Sequence, residues 1–282
     1  MLGVSMTNYE TMSYTRNKKI GYITFNRPKS LNAVNFQFEQ DFHEALLEFD
    51  LDDGAWVVII SGIGRCFCAG ADIKQKFAEM TPAQKANRTK GANPESYLGR
   101  TVNWKPTISA VHGYALGAGL LIAAESDLVV ASTDAKFGIT ETKRGLPGGH
   151  VWAKMNAFMP SKVITEMLIT GEPIQAQRLY DLGFINRLIS SDEILSSGLG
   201  SESADKQILD LVLTEAESLA NLIIETPPLA ARSGVRLSRN QWIIPAINAD
   251  FYLQPLRLHN TEDFKEATQS FVEKRPPNYQ AK

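Results

Sequence analysis

The chain has 282 residues, of which 44% are hydrophobic and 21% charged, a balance that suits a globular protein with a sizeable buried core. A formal charge of −2 gives no electrostatic argument for nucleic acid or an anionic membrane surface, so any anionic partner has to be held by a few local Lys or Arg side chains. Two cysteines one residue apart, Cys66 and Cys68, do not make a disulfide framework and suit a reducing compartment.

The first residues, MLGVSMTNYETM, lack a basic region followed by an apolar core of signal-peptide length, so the expected location is cytoplasmic. IGYITF (20–25) and WVVIISG (56–62) read as strands, and between them Phe38, Phe42, Ala45, Leu46 and Phe49 recur at helical spacing. Residues 75–100, rich in Lys, Thr, Asn and Pro, read as a surface excursion. Further strands are expected at 106–113, 127–132, 135–139 and 184–189. The apolar run from Ile108 to Ala124 contains His112 and several glycines and falls short of the ~20 residues that span a bilayer. A Ser/Gly-rich stretch from Ser190 to Ala204 is the candidate junction, and from Asp205 to Lys274 the periodicity is helical, with Pro227, Pro228 and Pro245 marking starts or breaks. The alternation of strands and helices in the first two thirds predicts an α/β class.

Two glycine-rich turns follow apolar strands. In CFCAGADI (66–73) the small residues Ala69, Gly70 and Ala71 allow close approach of a backbone or ligand, and Gly117-Ala118-Gly119 sits at a strand-to-helix turn, where the first helical N–H groups lack partners. Each turn can offer an N–H to one developing oxyanion, a contribution of roughly 3–4 kcal/mol per donor. The same small residues also serve tight packing alone. A third element, FGITE (137–141), places a carboxylate after a short strand. Glu141 is a candidate general base if burial raises its pKa, and otherwise one half of a salt bridge with Lys143 or Arg144.

Together these elements resemble the enoyl-CoA hydratase/isomerase (crotonase) superfamily over nearly the whole chain. NRPKSLNAV (26–34) is similar to that family's Asn-Arg-Pro-x-x-x-Asn-Ala motif, RCFCAGADIK (65–74) to its first oxyanion loop, VHGYALGAG (111–119) to its second, and FGITETKRGL (137–146) to its catalytic-glutamate segment. TGEPIQAQRLYDLGFINRLI (170–189) and SFVEKRPPNY (270–279) resemble later landmarks. The resemblance implies a spiral of repeated ββα units over residues 1–200, carrying the active site, and a helical region over 201–282 that makes a homotrimer or a dimer of trimers and closes the pocket. It implies an acyl-CoA substrate and neither cofactor nor metal. The backbone N–H groups of Ala71 and Ala118 would be the oxyanion donors and Glu141 the acid/base. Lys29, Leu31, Ala71, Asp72, Ile73, Lys74 and Ala118 would contact CoA or the acyl group, with Phe271 and Lys274 completing the pocket from the same or a neighbouring subunit.

The sequence departs from that pattern in two places. Typical hydratases of the family carry two glutamates; Glu141 matches the second, but the position of the first holds Leu121, and Glu125, one turn further on, reads as a helix-terminal residue. Losing one positioned acid/base group costs about 10²–10⁴-fold, which leaves reactions that need one base: moving a double bond, assisted hydration, or C–C chemistry through an enolate. The loop after Glu141 is shortened, to Gly145-Leu146-Pro147-Gly148-Gly149-His150. His150 is either a second proton carrier or a residue capping the next helix. Gly149 stands where dienoyl-CoA isomerases place an acid. Two other classes stay open: a noncatalytic acyl-CoA-binding member, and a redox or metal protein built on Cys66 and Cys68 with His112 or His150, for which no second ligand pair has zinc spacing.

Overall fold

A computed structural model describes residues 6–75, 104–239 and 260–280. Its main sheet has seven strands, which lie side by side as β1 (Met6–Asn8), β2 (Met12–Asn17), β3 (Ile20–Phe25), β4 (Val57–Gly62), β5 (Thr107–Val111), β7 (Leu128–Ser132) and β10 (Arg187–Ile189). The first three pair antiparallel and the rest parallel. A second, smaller sheet has the order β6 (Tyr114–Leu116), β8 (Lys136–Gly138), β9 (Ile174–Gln175).

Helix α1 (Phe36–Leu51) begins where the Asn35 side chain accepts the Phe38 N–H at 2.8 Å. Its buried face brings Phe38 and Phe42 onto Phe25, with ring centroids 4.7 and 5.4 Å away. Helix α2 (Ala118–Glu125) is apolar from Gly119 to Ala124 because it is buried all round. After it come α3 (Gly149–Met155), α4 (Ser161–Thr170), α5 (Ala176–Asp181), α6 (Asp192–Ser196) and α7 (Ser201–Ile224), then α8 over 228–239 and α9 (Glu262–Glu273).

The main sheet is covered on both faces. Val58 and Ile60 belong to the core shared with α1 and α2, while Val57 and Ile59 meet Ile208, Val212, Ala216 and Ala220 of α7. That is why VVII is a continuous apolar run rather than an alternating one. Far along the chain, Arg239 in α8 is ion-paired at 2.7 Å to Asp127, which also accepts the Thr107 N–H at 2.8 Å and so ties α8 to β5.

The expected strands at 20–25, 56–62, 106–113, 127–132 and 135–139 are present, with ends trimmed by a residue or more in most. Two expectations change at their edges. Residues 184–186 are not strand, because the Asn186 side chain accepts the Val129 N–H and caps the sheet edge there. The Ser/Gly-rich stretch is not all loop, since it contains α6 and the first turn of α7. The expected excursion at 75–100, apart from Gln75, and Pro245 lie outside the described residues. Among those described, no helix is long and apolar enough to cross a membrane.

Candidate active site

The small sheet explains how distant loops meet. Val34 bridges to Ala71, Cys68 bridges to Ala115, and Tyr114–Leu116 pairs with Lys136–Gly138. The bonds are short: Val34 N–H to Gly70 O at 2.8 Å, Cys68 N–H to Tyr114 O at 2.9 Å, Leu116 N–H to Cys68 O at 3.0 Å. The two glycine-rich turns and the glutamate segment therefore run side by side as successive rungs. Ala118 and Glu141 lie just beyond their strands, and Ala71, itself bridged to Val34, lies just beyond Cys68, at the same end of the layer.

The Ala71 N–H takes no part in the bridge, because the parallel register uses the Val34 and Asp72 N–H groups. Ala118 opens α2, so its N–H has no intrahelical acceptor. Among the described residues neither amide donates a hydrogen bond. Two such donors, held by regular backbone pairing on adjacent rungs, are what an oxyanion site requires.

Glu141 lies against Gly117, where an added Cβ would come 2.6 Å from Glu141 Oε1 and the backbone φ is +50°. Only glycine takes that conformation without strain and leaves room for the carboxylate. Gly117 is thus a site residue, although its sequence context marks it only as part of a turn. The Glu141 residue is half-buried, but its Oε2 is shielded from solvent and has no hydrogen-bond partner among the described residues. Burial pushes its pKa up to about 7, against the smaller opposite pull of its own N–H and that of Thr140. Neither Lys143 nor Arg144 is its ion-pair partner: Lys143 pairs with Glu172 at 2.5 Å.

These groups open onto a cavity of about 560 Å³. Of the residues expected from the sequence, Leu31, Ala71, Asp72, Ile73, Lys74, Glu141 and Phe271 line it. Phe271 comes from α9 of the same chain. Ala118 is beside the lining residue Gly117, while Lys29 and Lys274 are exposed and do not line the cavity. Asp72 also holds Arg27 at 3.1 Å, and Arg27 in turn donates to Ala33 O, which fixes the first loop against the turn at 28–30. Leu121, 8% exposed, is part of the main apolar core. Glu125 is indeed the last residue of α2, but it is buried and ion-paired to the buried Lys154 of α3. His150 is the second residue of α3. Cys66 and Cys68 are buried, and desolvation pushes their thiols up to about 11 and about 12, the reverse of a reactive thiolate.

The enoyl-CoA hydratase/isomerase family pattern matches residues 15–282. The chain belongs to the enoyl-CoA hydratase/isomerase family. A probable enoyl-CoA hydratase of Mycobacterium bovis is 30% identical over 276 residues, covering 96% of this chain and 98% of the relative. The (E)-benzylidenesuccinyl-CoA hydratase of Thauera aromatica is 32% identical over 265 residues, covering 92% and 95%. Among solved structures, a carnitinyl-CoA dehydratase from Mycobacterium avium superposes with a TM-score of 0.75 at 30% identity, covering 96% of this chain and 99% of that one. The fold is the crotonase fold, and the protein is an acyl-CoA-processing enzyme of the hydratase/isomerase type.

Proposed function

We propose that the protein binds an acyl-CoA, holds its thioester oxygen on the Ala71 and Ala118 N–H groups, and uses Glu141 as its single acid/base. In the double-bond shift of a 3-enoyl-CoA, Glu141 takes a proton from Cα and the electron pair moves into a dienolate whose oxygen the two amides stabilise. The same carboxyl, its proton exchanging with solvent, then delivers a proton to Cγ, leaving the 2-enoyl thioester. No cofactor takes part in this scheme. The observation that carries the reading is the Glu141 carboxylate, desolvated and pushed up to about 7, seated against Gly117 one residue from the Ala118 amide. A base titrating there exchanges protons readily at neutral pH.

Hydration is the second reading, favoured by the names of the Mycobacterium and Thauera relatives. It needs a proton donor that Leu121 cannot supply, so a substrate group or a bound water would have to stand in. Incubation with 2-enoyl-, 3-enoyl- and cyclic β-keto-acyl-CoAs in heavy water, with products weighed by mass spectrometry, separates the readings. Deuterium uptake without added water mass is expected, and Glu141→Gln should suppress it by at least about 10²-fold. Added water would mean hydratase or C–C hydrolase chemistry. Binding of thioesters without Glu141-dependent exchange would sink the assignment of the base.

A further inference from the structure

The cations lining the cavity are not equivalent. Lys143 is engaged by Glu172, but Arg144, the next residue, has neither a carboxylate nor a hydrogen-bond acceptor among the described residues. Its guanidinium lies over the ring of Phe271, 4.7 Å from the centroid. A contact of the charge with the ring consumes none of its N–H hydrogen bonds, so the donors stay available. Burial lowers its pKa from the ordinary arginine value, with only Tyr279 acting the other way, as expected of a partly desolvated charge lacking a counter-ion. Nor does Arg144 tune Glu141, whose environment is set by burial and by backbone N–H groups. The two residues therefore serve separate parts of one cavity.

An anion is the natural occupant beside Arg144. Leu116, Leu146 and Pro173 line the same cavity; an alkyl chain reaching Arg144 there would desolvate the guanidinium further and leave its donors unmatched, whereas a carboxylate pairs with the fork through both oxygens. We propose that Arg144 receives a carboxylate carried on the acyl group, so that the preferred substrates are CoA thioesters of dicarboxylic acids. This rests on the acyl-CoA reading above. The alternative anion is a phosphate of CoA, for which the exposed Lys29 and Lys274 outside the cavity are available.

The test is calorimetric titration with unreactive saturated thioesters: one ending in a carboxylate, its methyl ester of the same length, and free CoA. The wild type should bind the carboxylate at least about tenfold more tightly than the ester. Arg144→Gln should erase that difference, and Arg144→Lys, which keeps the charge without the fork, should retain part of it. Equal binding of acid and ester by the wild type would overturn the inference. So would an Arg144→Gln loss shared equally by both thioesters, which marks a prop for Phe271, or a loss shared by free CoA, which marks a phosphate contact. Saturated thioesters need no turnover, so CoA binding without a carboxylate preference sinks this inference alone, and missing proton exchange sinks only the assignment of Glu141.

Discussion

Glu141 is held at a cost to the fold. A carboxyl with an ordinary pKa of 4.5 in the unfolded chain and about 7 in the folded one binds its proton more tightly when folded. Stability from this group is therefore complete below about pH 4.5 and is lost as pH rises through 7. Glu141→Gln removes the titration, so the variant should be more stable than the wild type at pH 8, by up to roughly 3 kcal/mol, and the gap should close toward pH 5. Urea unfolding at both pH values checks this, and a gap independent of pH would show that the carboxyl is not desolvated. The wild-type rate for proton exchange should rise through the same pH as the base ionises. The residue and its segment are legible in the sequence. The seat that tunes it is not, because nothing in the spacing of Gly117 and Glu141 reveals that one faces the other across the small sheet.

At the scale of elements, legibility follows burial. Strands β3, β4, β5 and β7 are readable because most of their residues lie inside a sheet covered on both sides, whereas β6, β8 and β9 span three residues or fewer, and of these only β8 reads as a separate strand, β6 being lost inside the longer apolar run from Ile108 to Ala124. Yet those short strands align the two glycine-rich turns with the Glu141 segment. The Glu125–Lys154 pair between α2 and α3 is likewise invisible in sequence, where Glu125 reads only as a helix-terminal residue and nothing singles out Lys154. Both side chains are shielded from water, so removing one strands the other's charge. Lys154→Met should cost about 3–5 kcal/mol, while the double variant Glu125→Gln/Lys154→Met should recover much of that loss. Denaturant midpoints of the four proteins in the cycle measure the coupling, and additive losses would mean that the two charges are held independently. Leu121 belongs to this scale too. It lies one turn along α2 from Gly117 and is packed into the main apolar core, a setting that suits a hydrocarbon side chain and would desolvate a carboxylate placed there.

The whole molecule assembles its cavity from both ends of the chain, with Ser30 and Leu31 on one wall and Phe271 on another. Helix α9 is fixed over the glutamate segment by contact of Phe264 with Gly145 and by the Tyr279 hydroxyl donating to Lys143 O at 3.0 Å. The sequence marks Phe271 through its resemblance but leaves open which subunit supplies it, since no local pattern encodes where a C-terminal helix docks; here the same chain does so. Phe271 is 46% exposed, so it forms a wall rather than part of the core, and its ring carries the Arg144 guanidinium. Phe271→Ala should therefore raise KM about tenfold, consistent with partial loss of an aromatic contact, with kcat within a few-fold. Steady-state kinetics on the preferred thioester decide the matter. A fall in kcat at constant KM would mean that α9 acts instead by holding the Glu141 turn in place, because only an interaction made in the transition state is lost in that pattern.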